Sequence, residues 1–393
     1  MKKFSKLISL SIVSAIAASM LLTGCGAKPA ASTPASTPAS APAASTPAST
    51  PATAGLKIAI CTSPNAVDDG SFNENVYDGI QKFVKANPGS TVTNIQETTG
   101  APDAAIAKMG EIVGDYDVIV GSGFQFGGLN DIAKQNPDKK FIVVDAWPAK
   151  DEVLPNVYAM QFAEQESGFF AGMAAALETK TNKVAVVNGQ AFPSNVNYQY
   201  GFQAGVQFVN ETEGKKVELI ETGSHAGTDV TGANVGGNYT GNFGDIEAGK
   251  KLGEALIAKG CDVIFVAAGD SGNGVFAAAK EAKTDVKIIG CDVDQYDDGA
   301  NGDKNIILTS GLKVMDVVVE RSLNTIADGS FKGGNVVLTL KDDATGYVKA
   351  DGRNQLSKET ITKIDAAQAK VKDGSIVPPS NFGVQPKDFK VAK

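Results

Sequence analysis

The feature that most constrains the fold of this chain is a repeated alternation of short apolar runs and amphipathic helical segments. The first run, residues 56–61, is followed by a turn rich in Asn, Asp and Gly and by a helical pattern over residues 72–86. Each run is apolar throughout rather than at every second position, as in strands that are covered on both faces. Because parallel strands are joined by crossover helices, this alternation predicts an α/β protein with parallel sheets.

The apolar runs fall into two series, which predict two doubly wound lobes. The first series comprises residues 56–61, 92–96, 118–120 and 141–144, and the second comprises residues 184–187, 217–221, 263–267 and 288–291. The segment from residue 56 onwards is also longer than one hydrophobic core usually organises. A helix at residues 166–177 bridges the series, and a strand and helix at residues 306–327 could return to the first lobe, which would make the lobes a hinged pair.

These patterns divide the folded part into three regions. We expect lobe 1 to contain residues 56–162 plus about 306–332, and lobe 2 to contain residues 163–305 plus about 333–350. Residues 351–393 are expected to form a C-terminal helix and tail that pack near the hinge. Ligands of open parallel sheets bind outside the carboxyl ends of the strands, so the loops after the strands are the candidate site.

The N-terminal region has the pattern of an export signal followed by a spacer. A basic start precedes an apolar run and the tetrapeptide Leu22-Thr23-Gly24-Cys25, which is a lipobox. Residues 1–24 therefore predict a lipoprotein signal peptide, with Cys25 as the lipidated residue; an uncleaved anchor helix is the alternative. Residues 25–55 predict an extended linker rich in Ala, Ser, Thr and Pro. The expected location is the extracytoplasmic face of the cell membrane.

The acidic charge balance and the scarcity of histidine disfavour several kinds of partner. The chain has a formal net charge of −8 and lacks a cluster of Lys and Arg with interleaved aromatics, which argues against nucleic-acid binding. His225 is the only histidine and no closely spaced cysteines occur, so no metal and no cofactor are predicted. Cys61, Cys261 and Cys291 are expected to be buried, and a disulfide between Cys261 and Cys291 stays open.

Common enzyme signatures are missing from the sequence. It has no phosphate loop of the Walker type and no Gly-x-Ser-x-Gly motif, and residues 121–126 lack the last glycine of a dinucleotide fingerprint. Asp68 and Asp69 could supply an acid and a base, but adjacent side chains rarely face one substrate atom. We therefore predict a binding protein and not an enzyme.

The loop after the first predicted strand holds suggestive side chains. Ser71 or Asp69 could cap the following helix, because a short oxygen-bearing side chain satisfies its free amide groups. Phe72, in the first helical turn, could pack against the core or present its ring to a planar ligand. The loop is therefore a candidate wall of a ligand site.

A series of short motifs is spread over residues 56–345. The motifs are Asp68-Asp69-Gly70-Ser71-Phe72-Asn73, Asn136-Pro137-Asp138-Lys139-Lys140-Phe141 leading to Asp145, Glu164-Gln165-Glu166-Ser167-Gly168-Phe169-Phe170-Ala171-Gly172, Tyr200-Gly201-Phe202-Gln203-Ala204-Gly205, Gly244-Asp245, Cys261-Asp262-Val263-Ile264-Phe265, Ile289-Gly290-Cys291-Asp292-Val293-Asp294-Gln295 and Thr309-Ser310-Gly311-Leu312-Lys313. In their order and spacing they resemble the basic-membrane-protein family of lipoproteins, whose best understood members bind purine nucleosides for ABC importers. The resemblance implies a type I periplasmic-binding-protein-like fold, in which two doubly wound lobes are joined by a hinge.

The resemblance also implies roles for residues that would contact a base. Phe72 matches the family's phenylalanine that stacks on one face of the base, and Tyr198 falls where a second aromatic covers the other face. Asn73 and Asp145 match positions near the polar edge of the base. A purine between two rings is the implied arrangement.

Other positions concern the sugar and the base preference. Asp292 and Lys313 match the pair that holds ribose hydroxyls in the family; a structural ion pair at the hinge is the alternative. Many family members carry an aspartate directly after the first strand, where this chain has Ser63. Asn65 or Asp68 could take the place of that carboxylate, which would alter the base preference.

Phe124 and Gly269 follow two further predicted strands and are expected to border the cleft. The combined expectation is a lipid-anchored solute receptor that captures a nucleoside, expected to be a purine nucleoside, between its lobes and delivers it to an ABC permease. The alternatives are a receptor for another small ligand, such as a sugar or a signalling molecule, or a nucleoside-cleaving enzyme.

Overall fold

Two sheets of mainly parallel strands carry the fold, and each has hydrophobic core on both faces. The computed structural model describes residues 55–381, 383 and 385–391. The predicted signal peptide, Cys25 and the linker up to residue 54 lie outside the described residues. The expected α/β architecture with two parallel-sheet lobes is confirmed.

The helices and strands follow each other in the alternation that the apolar pattern predicted. The strands are β1 (Lys57–Thr62), β2 (Thr91–Gln96), β3 (Val118–Ser122), β4 (Lys140–Val144), β5 (Val157–Phe162), β6 (Lys183–Asn188), β7 (Glu218–Leu219), β8 (Gly227–Thr228), β9 (Asn234–Gly236), β10 (Val263–Ala267), β11 (Lys287–Asp292), β12 (Ala300–Asn301), β13 (Lys304–Asn305), β14 (Ile307–Lys313), β15 (Gly334–Leu338) and β16 (Thr345–Tyr347). The α-helices are α1 (Phe72–Ala86), α2 (Pro102–Ile112), α3 (Asn130–Gln135), α4 (Glu164–Glu178), α5 (Pro193–Glu213), α6 (Ile246–Ala258), α7 (Asp270–Glu281), α8 (Met315–Ala327) and α9 (Lys358–Asp373).

The chain passes between the two sheets at three places within the described residues. The first sheet has the order β15-β5-β4-β3-β1-β2, with all strands parallel. The second has the order β16-β14-β11-β10-β6-β7, and β16 runs antiparallel to β14. The crossings lie between β5 and α4, between β14 and α8, and between β15 and β16. These three segments lie side by side as the hinge that joins the lobes.

The strand pairing corrects the expected lobe boundaries after residue 305. Strand β14 pairs with β11 in the second sheet, although residues 306–332 were expected in lobe 1. Strand β15 pairs with β5 in the first sheet, although residues 333–350 were expected in lobe 2. Helix α8 packs in the first lobe as expected. Apolar periodicity identifies a strand, but the sheet that it joins depends on contacts with strands that are distant in sequence.

Close packing of α4 on α5 explains the glycines in both helices. A Cβ atom on Gly168 would lie 2.4 Å from the carbonyl oxygen of Tyr198, and one on Gly172 would lie 2.2 Å from that of Phe202. Any larger residue would force the helices apart. This packing fixes the start of α4, at Glu164, close to Tyr198 beside the hinge.

The remaining C-terminal part packs on the second lobe. Ile364, Ala367 and Val371 of α9 belong to the core of that lobe, and Lys372 forms an ion pair with Asp343 in the last hinge crossing. The three described cysteines are buried and free, so no disulfide joins Cys261 to Cys291. No helix in the described part of the chain is long and apolar enough to cross a membrane.

Candidate functional site

A cavity lies between the lobes, at the carboxyl ends of strands from both sheets. Ten of the residues expected at the site line this cavity: Ser63, Asn65, Phe72, Asn73, Phe124, Asp145, Tyr198, Gly269, Asp292 and Lys313. Asp68 does not line it; its side chain is exposed. In this form of the protein Asp69 turns inwards and Asp68 outwards, so Asn65 is the better placed of the two residues considered in place of the family's aspartate.

Asp69 caps the helix that carries Phe72. Its Oδ1 accepts hydrogen bonds from the backbone N–H groups of Ser71 and Glu74, both at 3.1 Å, and its Oδ2 accepts from that of Asn73 at 3.1 Å. Ser71 makes no capping bond with its own side chain. Burial raises the pKa of Asp69 to about 6. Of the two caps considered from the sequence, the structure uses Asp69, and this holds the first turn of α1 against the cavity.

The side-chain amide of Asn73 forms hydrogen bonds with other protein groups. Its Nδ2 donates to Asp69 Oδ2 at 3.0 Å, and its Oδ1 accepts from the hydroxyl of Ser122 at 2.8 Å. Ser122 is the last residue of β3, so Asn73 joins the first helix to a neighbouring strand end. Both ends of its amide are thus occupied by protein groups.

Ser63 turns its hydroxyl to a carboxylate outside the cavity wall. The Ser63 Oγ donates to Glu97 Oε2 at 2.7 Å, and the Ser63 carbonyl accepts from Gln125 Nε2 at 2.8 Å. Glu97 also accepts from the backbone N–H groups of Thr99 and Gly100. Ser63 therefore offers the cavity little more than its backbone, and Glu97 serves to hold two adjoining loops together.

The Lys313 ammonium is buried between two carboxylates and two rings. It contacts the carboxylate of Asp145 and lies 3.0 Å from Glu164 Oε1, and its side chain is 2% exposed. The ring centres of Phe72 and Phe162 lie 5.0 and 5.2 Å from its Nζ. Burial lowers the pKa of Lys313, but the two carboxylates outweigh burial and raise it overall. The lysine is therefore fully charged at the centre of the interlobe site.

Asp292 does not form the ion pair with Lys313 that the sequence left open as the alternative to ribose binding. Its Oδ1 accepts a hydrogen bond from the hydroxyl of Tyr198 at 2.8 Å, and the ion pairs of Lys313 in the described residues go to Asp145 and Glu164 instead. A direct Asp292–Lys313 pair at the hinge is thus absent among these residues. Glu164 was quoted in a motif, but sequence reasoning gave it no role because its partners come from other elements.

Asp145 carries the most perturbed carboxyl group of the cavity. Burial raises its pKa to about 7, an effect that Lys313 opposes and Glu164 reinforces. Its Oδ2 contacts Lys313, whereas its Oδ1 has no hydrogen-bond partner among the described residues. A buried carboxylate oxygen without a donor is costly, which makes it a ready acceptor for a ligand hydroxyl or amine.

Aromatic rings from both lobes form the walls of the cavity. Tyr198 packs edge-on against Phe265, with ring centroids 5.6 Å apart. Phe192 and Phe243 also line the cavity, and their ring centroids lie 5.8 Å apart. The ring centroid of Phe192 lies 5.2 Å from that of Phe124 in the first lobe. Sequence reasoning missed Phe192 and Phe243, although Phe243 directly precedes the quoted Gly244-Asp245 motif.

The lobes touch directly at the rim of the cavity. Asn65 Nδ2 of the first lobe donates to the carbonyl oxygen of Phe243 in the second, at 3.1 Å. Gln295 Nε2 of the second lobe donates to the carbonyl oxygen of Gly70 at 3.4 Å. The structure is therefore a closed form in which the cavity is shared by both lobes.

No group of three metal-ligating side chains occurs among the residues that the structure describes. The polar groups of the cavity are instead a buried ammonium, carboxylates, amides and hydroxyls, next to aromatic rings. This arrangement can hold a ligand with a planar apolar face and several hydrogen-bonding groups.

Comparison with known proteins identifies the family. Residues 57–381 match the family model described as "Bmp: ABC transporter substrate-binding protein PnrA-like". The chain is 33% identical to the CD4+ T-cell-stimulating antigen of Listeria monocytogenes, over 82% of this chain and 87% of that protein. It is 30% identical to the ABC transporter nucleoside-binding protein BmpA of Lactococcus lactis, over 83% of this chain and 89% of that protein.

Among solved structures, a solute-binding protein of an ABC transporter system from Aeropyrum pernix superposes with a TM-score of 0.69, at 24% identity, over 83% of this chain and 94% of that one. This likeness supports the type I periplasmic-binding-protein-like fold. The chain belongs to the Bmp family of PnrA-like ABC transporter substrate-binding proteins, a family of binding proteins and not of enzymes.

Proposed function

We propose that this protein is a lipid-anchored receptor that closes on a nucleoside between its lobes and delivers it to an ABC permease. The observation that carries the proposal is the composition of the interlobe cavity, in which aromatic rings from both lobes surround a buried ammonium and two strand-end carboxylates. Closure requires that a ligand contact both lobes, because only preferential contacts with the closed form shift the equilibrium.

The aromatic rings suit a purine base. Phe72 stands on the first lobe, and Phe243 and Tyr198 stand on the second, so a flat base can contact rings on both sides. Stacking on an aromatic side chain contributes on the order of 1 to 3 kcal/mol per base. Because Ser63 turns its hydroxyl to Glu97, its side chain does not replace the aspartate that many family members carry at this position.

The charged groups suit the ribose. Asp145 has a free carboxylate oxygen, and Asp292 has a second oxygen besides the one that accepts from Tyr198. Lys313 has three N–H donors, of which Asp145 and Glu164 use two. The third donor and the two carboxylate oxygens match the mixed donors and acceptors of vicinal hydroxyls.

The N-terminal pattern supports the anchored location and the permease partner. The lipobox at Leu22-Thr23-Gly24-Cys25 predicts a diacylated N-terminus, and the linker predicts a spacer that keeps the lobes near the membrane. Tethering raises the local concentration of a receptor at its permease. The nucleoside-binding protein of Lactococcus lactis, at 30% identity, supports the ligand class.

A thermal-shift panel on the mature chain, residues 25–393, tests the proposed ligand class. Purine and pyrimidine nucleosides, free bases and pentoses are compared at equal concentrations. We expect purine nucleosides to raise the melting temperature more than any base or sugar does, because binding to the folded form stabilises it. A shift with pentoses or hexoses and none with nucleosides would favour a sugar receptor and overturn the proposal.

A further inference from the structure

A buried relay of hydrogen bonds leads from the Lys313 ammonium to the C-terminal segment. Glu164 holds Lys313 through Oε1, and its other oxygen, Oε2, accepts from Asn197 Nδ2 at 3.0 Å. Asn197 Oδ1 in turn accepts from the backbone N–H of Asn381 at 2.7 Å. Glu164 and Asn197 are 2% and 1% exposed. Asp145 and Glu164 therefore hold the same ammonium from opposite sides of the hinge.

We propose that Glu164 and Asn197 are positioning residues of the ligand site, which hold the Lys313 ammonium between the lobes and tie it to the C-terminal segment at Asn381. The proposal rests on the proposed function for the role of Lys313 towards a ligand. Neither Glu164 nor Asn197 lines the cavity, so both act through the lysine.

Fold stability alone is a poor explanation for this relay. Burying carboxylates and an amine in one place rarely stabilises a protein more than a well-packed apolar cluster would. The relay also uses both oxygens of Glu164, so the carboxylate cannot rotate away from the lysine. The other end of the relay, the C-terminal segment that contains Asn381, has a contact of its own with α4. There Phe389 packs edge-on against Phe169, with ring centroids 6.1 Å apart. A geometry that is fixed at both ends is expected where the position of a charge matters.

The charge of Glu164 also acts on Asp145. The groups that face Asp145 are Lys313 of β14, Glu164 of α4 and Asp292 of β11, and Tyr198 of α5 and Cys291 of β11 adjoin Asp292. Lys313 lowers the pKa of Asp145, whereas Glu164 and Asp292 raise it, in addition to the larger effect of burial. Removing the charge of Glu164 should therefore let Asp145 ionise at lower pH.

The first test compares Glu164→Gln with Glu166→Gln on the mature chain. Glu166 lies on the same helix and is partly buried, but it accepts from Leu340 N and Thr345 Oγ1 and does not contact Lys313. Inosine and guanosine affinities are measured by calorimetry from pH 5 to pH 9. We expect Glu164→Gln to bind about tenfold more weakly at pH 8. Because Asp145 should ionise at lower pH in this variant, the pH at which the affinity changes halfway between its low-pH and high-pH values should fall by about one unit. Glu166→Gln should keep the wild-type midpoint.

A ligand-free measurement separates this proposal from the proposed function. The carboxyl carbon of Asp145 is followed by NMR in aspartate-labelled protein, with its resonance assigned from its absence in Asp145→Asn. A lower titration midpoint in Glu164→Gln than in the wild type supports the relay even if no nucleoside binds. Equal midpoints in the wild type and in Glu164→Gln would overturn it, whether or not a nucleoside binds.

The second test addresses the link to the C-terminal segment. Asn381→Pro removes the N–H that Asn197 accepts, and Asn381→Ala keeps it. We expect Asn381→Pro to weaken nucleoside binding about threefold to fivefold and Asn381→Ala to bind as the wild type does. Asn197→Ala, which leaves the segment sequence intact, should weaken binding at least as much as Asn381→Pro. Wild-type affinity in Asn381→Pro would overturn the C-terminal link, and wild-type affinity in Asn197→Ala would overturn the relay.

Discussion

Asp145 and Asp292 occupy equivalent places in the two lobes but have different surroundings. Each lies at the carboxyl end of a buried strand with a positive φ, 63° and 67° respectively, and each lines the cavity. Asp145 contacts Lys313, and burial raises its pKa to about 7. Asp292 accepts a hydrogen bond from Tyr198.

The same backbone arrangement thus gives two carboxylates with different chemistry. Asp tolerates the left-handed conformation better than most residues, so it can end a strand and still turn its carboxylate into the cleft. The chemistry of that carboxylate then depends on what the rest of the lobe brings to it. In the first lobe the hinge brings a lysine; in the second, helix α5 brings a tyrosine hydroxyl.

Removing Lys313 should have the largest effect on stability of the changes considered for the two aspartates. Lys313→Met leaves the buried carboxylates of Asp145 and Glu164 without their cation, so the free energy of unfolding should fall by about 3 to 5 kcal/mol. Nucleoside binding should be lost as well. Lys82→Met, which removes the more exposed ion pair with Asp316, should cost under about 1 kcal/mol. Urea unfolding at pH 7 measures both variants, and equal losses would contradict the buried role of Lys313.

The pH dependence of stability should separate the two aspartates. The pKa of Asp145 is raised to about 7 in the folded protein from an ordinary value near 4, so folding favours its protonated form. The stability that this proton contributes is fully present below about pH 4 and is lost as the pH rises through about 7. Relative to Asp145→Asn, the wild type should lose up to about 1.4 kcal/mol per pH unit in this window. Asp292→Asn retains Asp145 and should still lose stability in urea unfolding as the pH rises from 4, but the loss should end at a lower pH than in the wild type because the Asp292 charge no longer raises the pKa of Asp145.

Removing one cavity-lining group from each lobe tests whether both lobes contribute to nucleoside binding. Phe72→Ala in the first lobe and Asp292→Ala in the second should each weaken nucleoside binding at least tenfold, about 1.4 kcal/mol. The reason is that each removes a wall or an acceptor that only the closed form brings to the ligand. Calorimetry measures both, with Tyr198→Phe as the control that removes only the donor to Asp292. Near-wild-type affinity in both alanine variants would refute the site assignment.

The smallest effect is expected at the rim, where the lobes touch. Asn65→Ala removes the hydrogen bond to the carbonyl of Phe243 and should weaken nucleoside binding about threefold to tenfold, since one such bond contributes about 1 kcal/mol. Asp68→Asn, three residues away and exposed, should leave the affinity unchanged. A larger effect at Asp68 than at Asn65 would mean that the family's aspartate is replaced by Asp68 after all.

Much of the fold could be predicted because its signals are local. Helix α1 has the predicted bounds, and the strands before Phe72 and Asp145 lie within one residue of those expected. Burial on both faces makes each strand apolar throughout, and the loops after the strands must carry the polar groups. Most of the individual site residues were assigned through the family resemblance rather than through this pattern, and ten of the eleven line the cavity.

The failures arise where a residue depends on a distant partner. Strands β14 and β15 have clear strand patterns, yet each pairs in the opposite sheet from the one expected. Ser63 follows its strand as expected, yet its hydroxyl is taken by Glu97 at the end of the next strand. No local pattern distinguishes these outcomes.

The amino-acid sequence alone was enough to predict the class of the fold, the strand ends at Asp145 and Asp292, the start of the helix at Phe72 and the resemblance to a family of receptors. These follow from periodicity and from short motifs, which record local burial and local chemistry. The tertiary structure alone decided that Lys313 pairs with Asp145 and Glu164 rather than with Asp292. The reason is physical: a buried charge is satisfied by whatever carboxylates the packed elements bring within reach, and that proximity arises only when the two lobes and the hinge come together.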